Sequence, residues 1–418
     1  MLSVWCLTHF CAEELYPNNK NRIIMETRKT IILLLGVCLL SGPLVNKIQA
    51  QADSAAPIPN KAKGGAEKML LAGEVFTIWQ NNKIKGLPAN NTFGADPLGL
   101  MLMPLVKLTD RLFLDVQVEV DANPGLGGGA SVNLNEAIIY YHLASGVNVF
   151  AGNFQPRSGL YEGVLDDFTN RFCTTPIGMG IGSATQSGAG IQGGIQCGYS
   201  KLLYQVYVAN GPRLTVDSTG ATNGQMDYSN YTDNNQGKAI GGEIGLLPFS
   251  NSSLEIGVSG QYAPTTGDAG SPLENISNKT VAGYLNYYHT FSPVMVRLQG
   301  QYEYTQTQGY NLYSNPSDTT ILVPKFTNQL RGWYGGITFR LSGSQSIFLS
   351  NLELGGRLGQ LTLPQGTPWG ANNPWNQTTI CLTYWFTWKT PVNLAYDIIT
   401  QSGSPTQTSI VVRGMWFF

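Results

Sequence analysis

The chain ends Val411-Val412-Arg413-Gly414-Met415-Trp416-Phe417-Phe418, an alternating stretch that stops on a bare aromatic. Successive side chains of a strand point to opposite faces. Ile410, Val412, Gly414, Trp416 and Phe418 therefore share one side, and Ser409, Arg413 and Met415 share the other. Such a segment suits a strand whose outer face meets lipid, whose inner face meets a wet lumen, and whose aromatic end sits at the membrane–water boundary. A soluble protein rarely ends this way, because an apolar edge invites pairing with other chains.

The same period recurs upstream. In Arg111–Asp121 the residues Leu112, Leu114, Val116, Val118 and Val120 oppose Arg111, Asp115, Gln117, Glu119 and Asp121. Val294–Tyr304 sets Arg297, Gln299, Gln301 and Glu303 on one side, and Leu254–Ser259 and Leu352–Leu358 repeat the pattern with Glu255, Glu353 and Arg357. A period of two with charges on one face marks that face as wet. Arg340, Asp397 and Arg413 extend the polar set.

After residue 52 there is no long apolar run and no sustained helical period. Short turn sequences near 108–111, 144–147, 198–201, 249–253, 290–293, 342–345 and 389–391 alternate with longer polar stretches near 81–95, 122–132, 157–187, 211–236, 264–279, 306–328, 359–375 and 401–406. Seven short and eight long connections predict an all-β fold: a transmembrane antiparallel β-barrel of about sixteen strands over residues 67–418, with short periplasmic turns and long external loops. Closure follows from hydrogen bonding, since an unpaired backbone group in hydrocarbon costs several kcal/mol. Sixteen strands leave room for water inside, where eight would fill with side chains. Tyr199, Tyr204, Tyr287, Tyr288, Trp333, Tyr384, Trp388, Trp416 and Phe418 lie near strand ends, as interfacial girdle residues should.

Charged residues make up 12% of the 418, the net charge is −1, and Gly and aromatics are plentiful. That composition disfavours disorder, and its charge balance argues for no nucleic-acid partner. Met25-Glu-Thr-Arg-Lys, the apolar run from Ile31 and the small-residue stop at Ala50-Gln51-Ala52 read as a signal peptide over 25–52. Residues 1–24 then read as an over-extended start and 53–66 as a short periplasmic lead-in. Val37 stands where a lipid-attached Cys38 would want a small neighbour. Beyond residue 52 the cysteines are Cys173, Cys197 and Cys381, which have no metal-ligand spacing. Their readings are a Cys173–Cys197 bridge or, favoured by the wide separation, three unpaired thiols.

Asn135-Glu-Ala-Ile-Ile-Tyr-Tyr-His-Leu143, Asn148-Val-Phe-Ala-Gly-Asn-Phe-Gln-Pro-Arg157, Tyr204-Gln-Val-Tyr-Val-Ala-Asn210 and Lys238–Phe249 follow in an order that resembles the phosphate-selective porin O and P family and related porins. The resemblance implies a homotrimer of sixteen-stranded barrels in a Gram-negative outer membrane, with the third external loop, here about 157–187, folded inward. Where family members often carry Pro-Phe-Gly, this chain has Pro156-Arg157-Ser158-Gly159, and no dense Lys cluster follows. Phosphate selectivity is therefore not carried over.

Arg157, Glu162, Asp166, Asp167 and Arg171 fall within that loop. Set against wall residues Arg111, Asp115, Glu119, Arg297, Glu303, Arg340, Glu353, Arg357 and Arg413, they are the candidates for a charged constriction, since pore width and rings of charge select solutes. The expected function is passive diffusion of small hydrophilic solutes or ions, with outer-membrane lipid and those solutes as partners and no cofactor. An anion- or phosphate-selective channel of the same fold is the alternative, ahead of a surface receptor, an adhesin or a barrel hydrolase. His142 and His289 lie beside no nucleophile elbow or metal-spaced partner, so no enzyme is expected.

Overall fold

A sheet in hydrocarbon has no water to satisfy an edge, so its first strand must find its last. In the computed structural model, Lys68–Ile84 pairs antiparallel with Gln407–Phe417, from Glu74 opposite Phe417 to Ile84 opposite Gln407. The structure describes residues 68–92, 98–123, 129–160, 171–179, 181–182, 184–215, 224–271, 273–308, 312–315, 318–323, 328–365, 367 and 370–418. The proposed start, signal and lead-in segments lie outside them.

Sixteen strands of the described residues form one closed antiparallel barrel. They are Lys68–Ile84 (β1), Leu98–Lys107 (β2), Leu112–Asn123 (β3), Gly129–Ala144 (β4), Val147–Phe154 (β5) and Gln186–Cys197 (β6). Ser200–Ala209 (β7), Ala239–Leu247 (β8), Leu254–Ala263 (β9), Asn278–Phe291 (β10) and Val294–Thr307 (β11) follow. Asn328–Arg340 (β12), Leu352–Thr362 (β13), Trp375–Thr387 (β14), Thr390–Gln401 (β15) and Gln407–Phe417 (β16) complete it.

The short connections fall where the turn chemistry places them. Two-residue turns at 145–146 and 198–199 use Gly146 and Gly198 at φ 78° and 63°, the positive φ that a tight hairpin demands. The expected loop at 122–132 is shorter than its sequence suggests. β3 runs to Asn123 and β4 resumes at Gly129, and Asn133 and Asn135 donate across the ladder to Asp121 and Glu119 at 3.4 and 2.8 Å. Gly129 is ladder backbone, not loop. The turn near 342–345 also carries one helical turn, Ile347–Ser350, which alternation could not reveal.

Ile244, Val258, Val281, Leu298, Leu354, Ile380, Leu382 and Leu394 stand exposed on the outer faces of successive strands. A continuous apolar belt of this extent marks a membrane surface. Aromatics edge it at the short-turn rim. His289 packs between Tyr287 and Phe291, at centroid distances of 6.2 and 4.4 Å, and Tyr384 contacts Phe348 and Phe386 at 5.5 and 4.9 Å. Trp416 lies 5.3 Å from Phe418. Tyr288 departs from the girdle, because its parity puts it on the inner side opposite Arg297.

The inner face is polar only in part. Ala72, Phe76, Met101, Met103, Met415 and Phe417 form one buried inward cluster, and Ile138, Phe150, Phe154, Tyr207 and Ala209 form another. Leu98-Gly-Leu-Met-Leu-Met-Pro-Leu-Val is apolar at both parities, so neither face of β2 can be wet along its whole length.

Candidate functional site

Inward parity sorts the barrel's charges into two sectors. Among the described residues of β1–β10, Glu74, Asp115, Glu119, Asp121, Glu136, Glu243 and Glu255 lie on the inner face, with Lys201 and, at the end of β2 beside its turn, Lys107 as inward cations. On β11–β16 the inward groups are Glu303, Glu353 and Asp397 together with Arg297, Arg340, Arg357 and Arg413. One wall is thus acidic and the other carries most of the arginine.

The described residues of the segment 155–185, which joins β5 to β6, lie against these walls from within. The first limb crosses strand after strand. The Gln155 amide donates to Glu136 Oε1 on β4 at 3.3 Å, Arg157 N to Gln205 Oε1 on β7 at 3.2 Å, and Gly159 N to Ser259 Oγ on β9 at 2.9 Å. Leu160 N donates to Gln301 Oε1 on β11 at 2.6 Å, and Ser158 Oγ to Glu303 Oε1 at 3.4 Å. An extended chain gains about 3.3–3.6 Å per residue, whereas neighbouring strands stand about 4.8 Å apart. Six residues cannot follow that much wall, so the limb cuts across the barrel and long side chains reach in to meet it. Arg157 Nη1 approaches Glu243 Oε2 at 3.5 Å, on a carboxylate that also accepts from Tyr284.

The second limb rests on the arginine wall. The Arg171 guanidinium lies 4.4 Å from the Trp385 ring centre, and Arg340 lies 5.7 Å from the same ring. Trp385 Nε1 donates to Glu353 Oε2 at 3.1 Å. Arg357 donates to Thr174 O at 2.7 Å and Thr174 Oγ1 at 2.8 Å, and sits 5.0 Å from the Phe172 ring. Ile177 N donates to Gln377 Oε1 at 2.7 Å, and Gln377 donates back to Thr175 O at 3.3 Å. Asp397 accepts from Thr379 and, at 3.2 Å, from Gln377. Gly178 and Gly332 meet backbone to backbone: a Cβ on Gly332 would lie 2.0 Å from Gly178 O. The exit is pinned as well, with Asn230 N donating to Thr185 O at 3.1 Å.

No protein-family model and no characterised protein sequence matches the chain. Solved structures do match it. The outer-membrane channel DcaP of Acinetobacter baumannii superposes with TM-score 0.52 over 86% of this chain and 99% of its own, at 15% identity. An anion-selective porin from Comamonas acidovorans does so with TM-score 0.50 over 84% and 99%, at 11% identity. The fold is that of the sixteen-stranded outer-membrane porins.

Within this porin fold the expected site residues separate. Arg157 and Arg171 lie on the two limbs of the inward loop, while Glu162, Asp166 and Asp167 lie outside the described residues. Asp115, Glu119, Arg297, Glu303, Arg340, Glu353, Arg357 and Arg413 take inward positions on their strands. Arg111 does not: it closes the turn at 108–111 and is exposed at the rim. Lys201, Glu136 and Glu243, missed in the sequence, were readable from parity with Leu203, Ile138 and Leu247. The Cys173–Cys197 bridge is not formed: Cys197 is exposed at the end of β6, while Cys173 is buried on β14–β16.

Proposed function

We propose that the chain is an outer-membrane channel for passive diffusion of small hydrophilic solutes or ions, narrowed by the loop at 155–185. The observation that carries this reading is the seating of that loop between two walls of unlike charge. A transverse field between an acidic and an arginine-bearing wall orients water and polar solutes, and it disfavours apolar ones that would break the ordered water. Arg157 lies on the acidic side and Arg171 on the cationic side, so the loop would carry charge across the narrowest section. Residues 25–52 would export the chain, and the barrel would assemble as a homotrimer, in keeping with the resemblance carried by Asn135–Phe249.

An anion preference is the second reading. It is favoured by Arg171, Arg297, Arg340, Arg357 and Arg413 on one side of the lumen, and by the likeness to an anion-selective porin.

Planar-bilayer conductance with reversal potentials in asymmetric salt tests both. The expected result is large, steady, ohmic steps, and the sign of the reversal potential separates cation from anion preference. Arg357→Met, which removes both bonds to Thr174, should widen and roughen the steps as the loop leaves its seat. A folded oligomer with no conductance would sink the channel reading; unchanged steps in Arg357→Met would detach the loop from the constriction.

A further inference from the structure

The surface on which Phe172 and Cys173 settle includes a second cysteine. Cys173 and Cys381 share a buried cluster with Phe172, Ala395 and Val411, at 7% and 2% exposure. Cys381 Sγ lies 3.1 Å from Arg171 O, two residues before Cys173, and Cys173 Sγ lies 4.0 Å from Val411 O. Cys173 sits at φ 47°, a left-handed conformation that side chains other than glycine seldom adopt, and here it turns the thiol onto β14 and β16.

We propose that Cys173 and Cys381 become a disulfide that fastens the inward loop to the barrel wall, while Cys197 stays a free thiol. The proposal takes the route through an oxidising periplasm from the reading above. In the balanced step both Sγ–H bonds break, two protons leave, and one Sγ–Sγ bond forms. The two electrons pass to a periplasmic thiol–disulfide oxidant, whose own disulfide breaks to two thiols by way of a mixed disulfide. Attack needs access, and the closed barrel hides both sulfurs, so the bond forms before the loop is enclosed and afterwards resists reductant. The bond would hold the second limb on the wall in addition to the Arg357 and Gln377 contacts, restricting local opening of the segment that narrows the lumen.

The test traps thiols with an alkylating reagent at harvest, isolates the protein from outer membranes and digests it without reductant. The expected product is one cross-linked fragment joining the Cys173 and Cys381 peptides, with Cys197 recovered alkylated. Recovery of Cys173 and Cys381 both alkylated, or of either joined to Cys197, overturns the proposal. Cys173→Ser should make Cys381 alkylatable once the protein is denatured; Cys381 remaining blocked there would overturn it too. Should that loop variant not accumulate, Cys381→Ser gives the reciprocal readout at Cys173. The fragment is read by mass and not by conductance. A protein that carries the bond but does not conduct keeps this inference and loses the channel, and the converse result does the opposite.

Discussion

Asp115 and Val116 are neighbours in sequence and face different solvents. Asp115 is buried on the lumen side of β3, and Val116 points outward opposite Ala137 of β4. Arginine at 116 would bring a charge into hydrocarbon, a change that costs roughly 2–4 kcal/mol near the bilayer midplane. Val116→Arg should therefore lower unfolding free energy in lipid vesicles by about that amount. Asp115→Asn should leave the unfolding midpoint nearly unchanged and shift the reversal potential away from cations, since it removes one unit from the acidic wall. Equal stability losses in the two variants would refute the assigned faces. At this scale parity alone is predictive where polar and apolar residues alternate, as in β3, and silent where they do not, as in β2.

The external loops behave as elements in their own right. The loop at 210–238 and the loop at 264–277 are strapped together, with Arg213 Nη2 and Nε donating to Asp268 at 2.8 and 3.0 Å and Asn234 Nδ2 donating to the same carboxylate at 2.8 Å. Leu214, Ile276, Met226 and Leu273 pack beneath the strap. The hydrogen bond from Arg213 holds the Asp268 carboxyl below the usual carboxylate range. A depressed folded value means that the strap contributes fully above the unfolded value of about 3.9 and fades as pH falls through the lower, folded one. Hydrogen-exchange protection in 210–215 and 264–277 should then hold from pH 8 to 5 and drop below about pH 4. Asp268→Asn should lack that added protection at every pH, and equal protection in the two proteins at pH 6 would show that the strap does not order the loops. None of this was legible in the sequence, because Arg213 and Asp268 belong to different loops and neither follows a strand's period.

For the whole molecule, closure is the decisive term. β16 bonds to β15 on one side and to β1 on the other, and Phe418 N donates to Gly73 O at 3.0 Å. Removing residues 407–418 would leave the edges of β1 and β15 unpaired, with about ten ladder residues on each facing lipid at several kcal/mol per unsatisfied group. The truncated chain should fail to form a heat-modifiable band on cold gels and should aggregate instead. A folded, detergent-stable product would show that closure through β16 is dispensable.

Alternation, turn chemistry and loop spacing in the sequence determined the barrel, its strand number and most of its inward charges, including Asp115, Glu303, Arg357 and Arg413. Those signals are local: a period of two and a pair of turn residues are complete within a dozen positions. Only the tertiary structure decided that Leu160 meets Gln301, that Arg357 holds Thr174, that Cys173 lies beside Cys381, and that acidic and arginine-bearing strands gather on separate sides of the lumen. Each of these contacts joins residues distant in sequence, and the ring order of the strands and the chord taken by one loop create them. No local pattern along the chain encodes either.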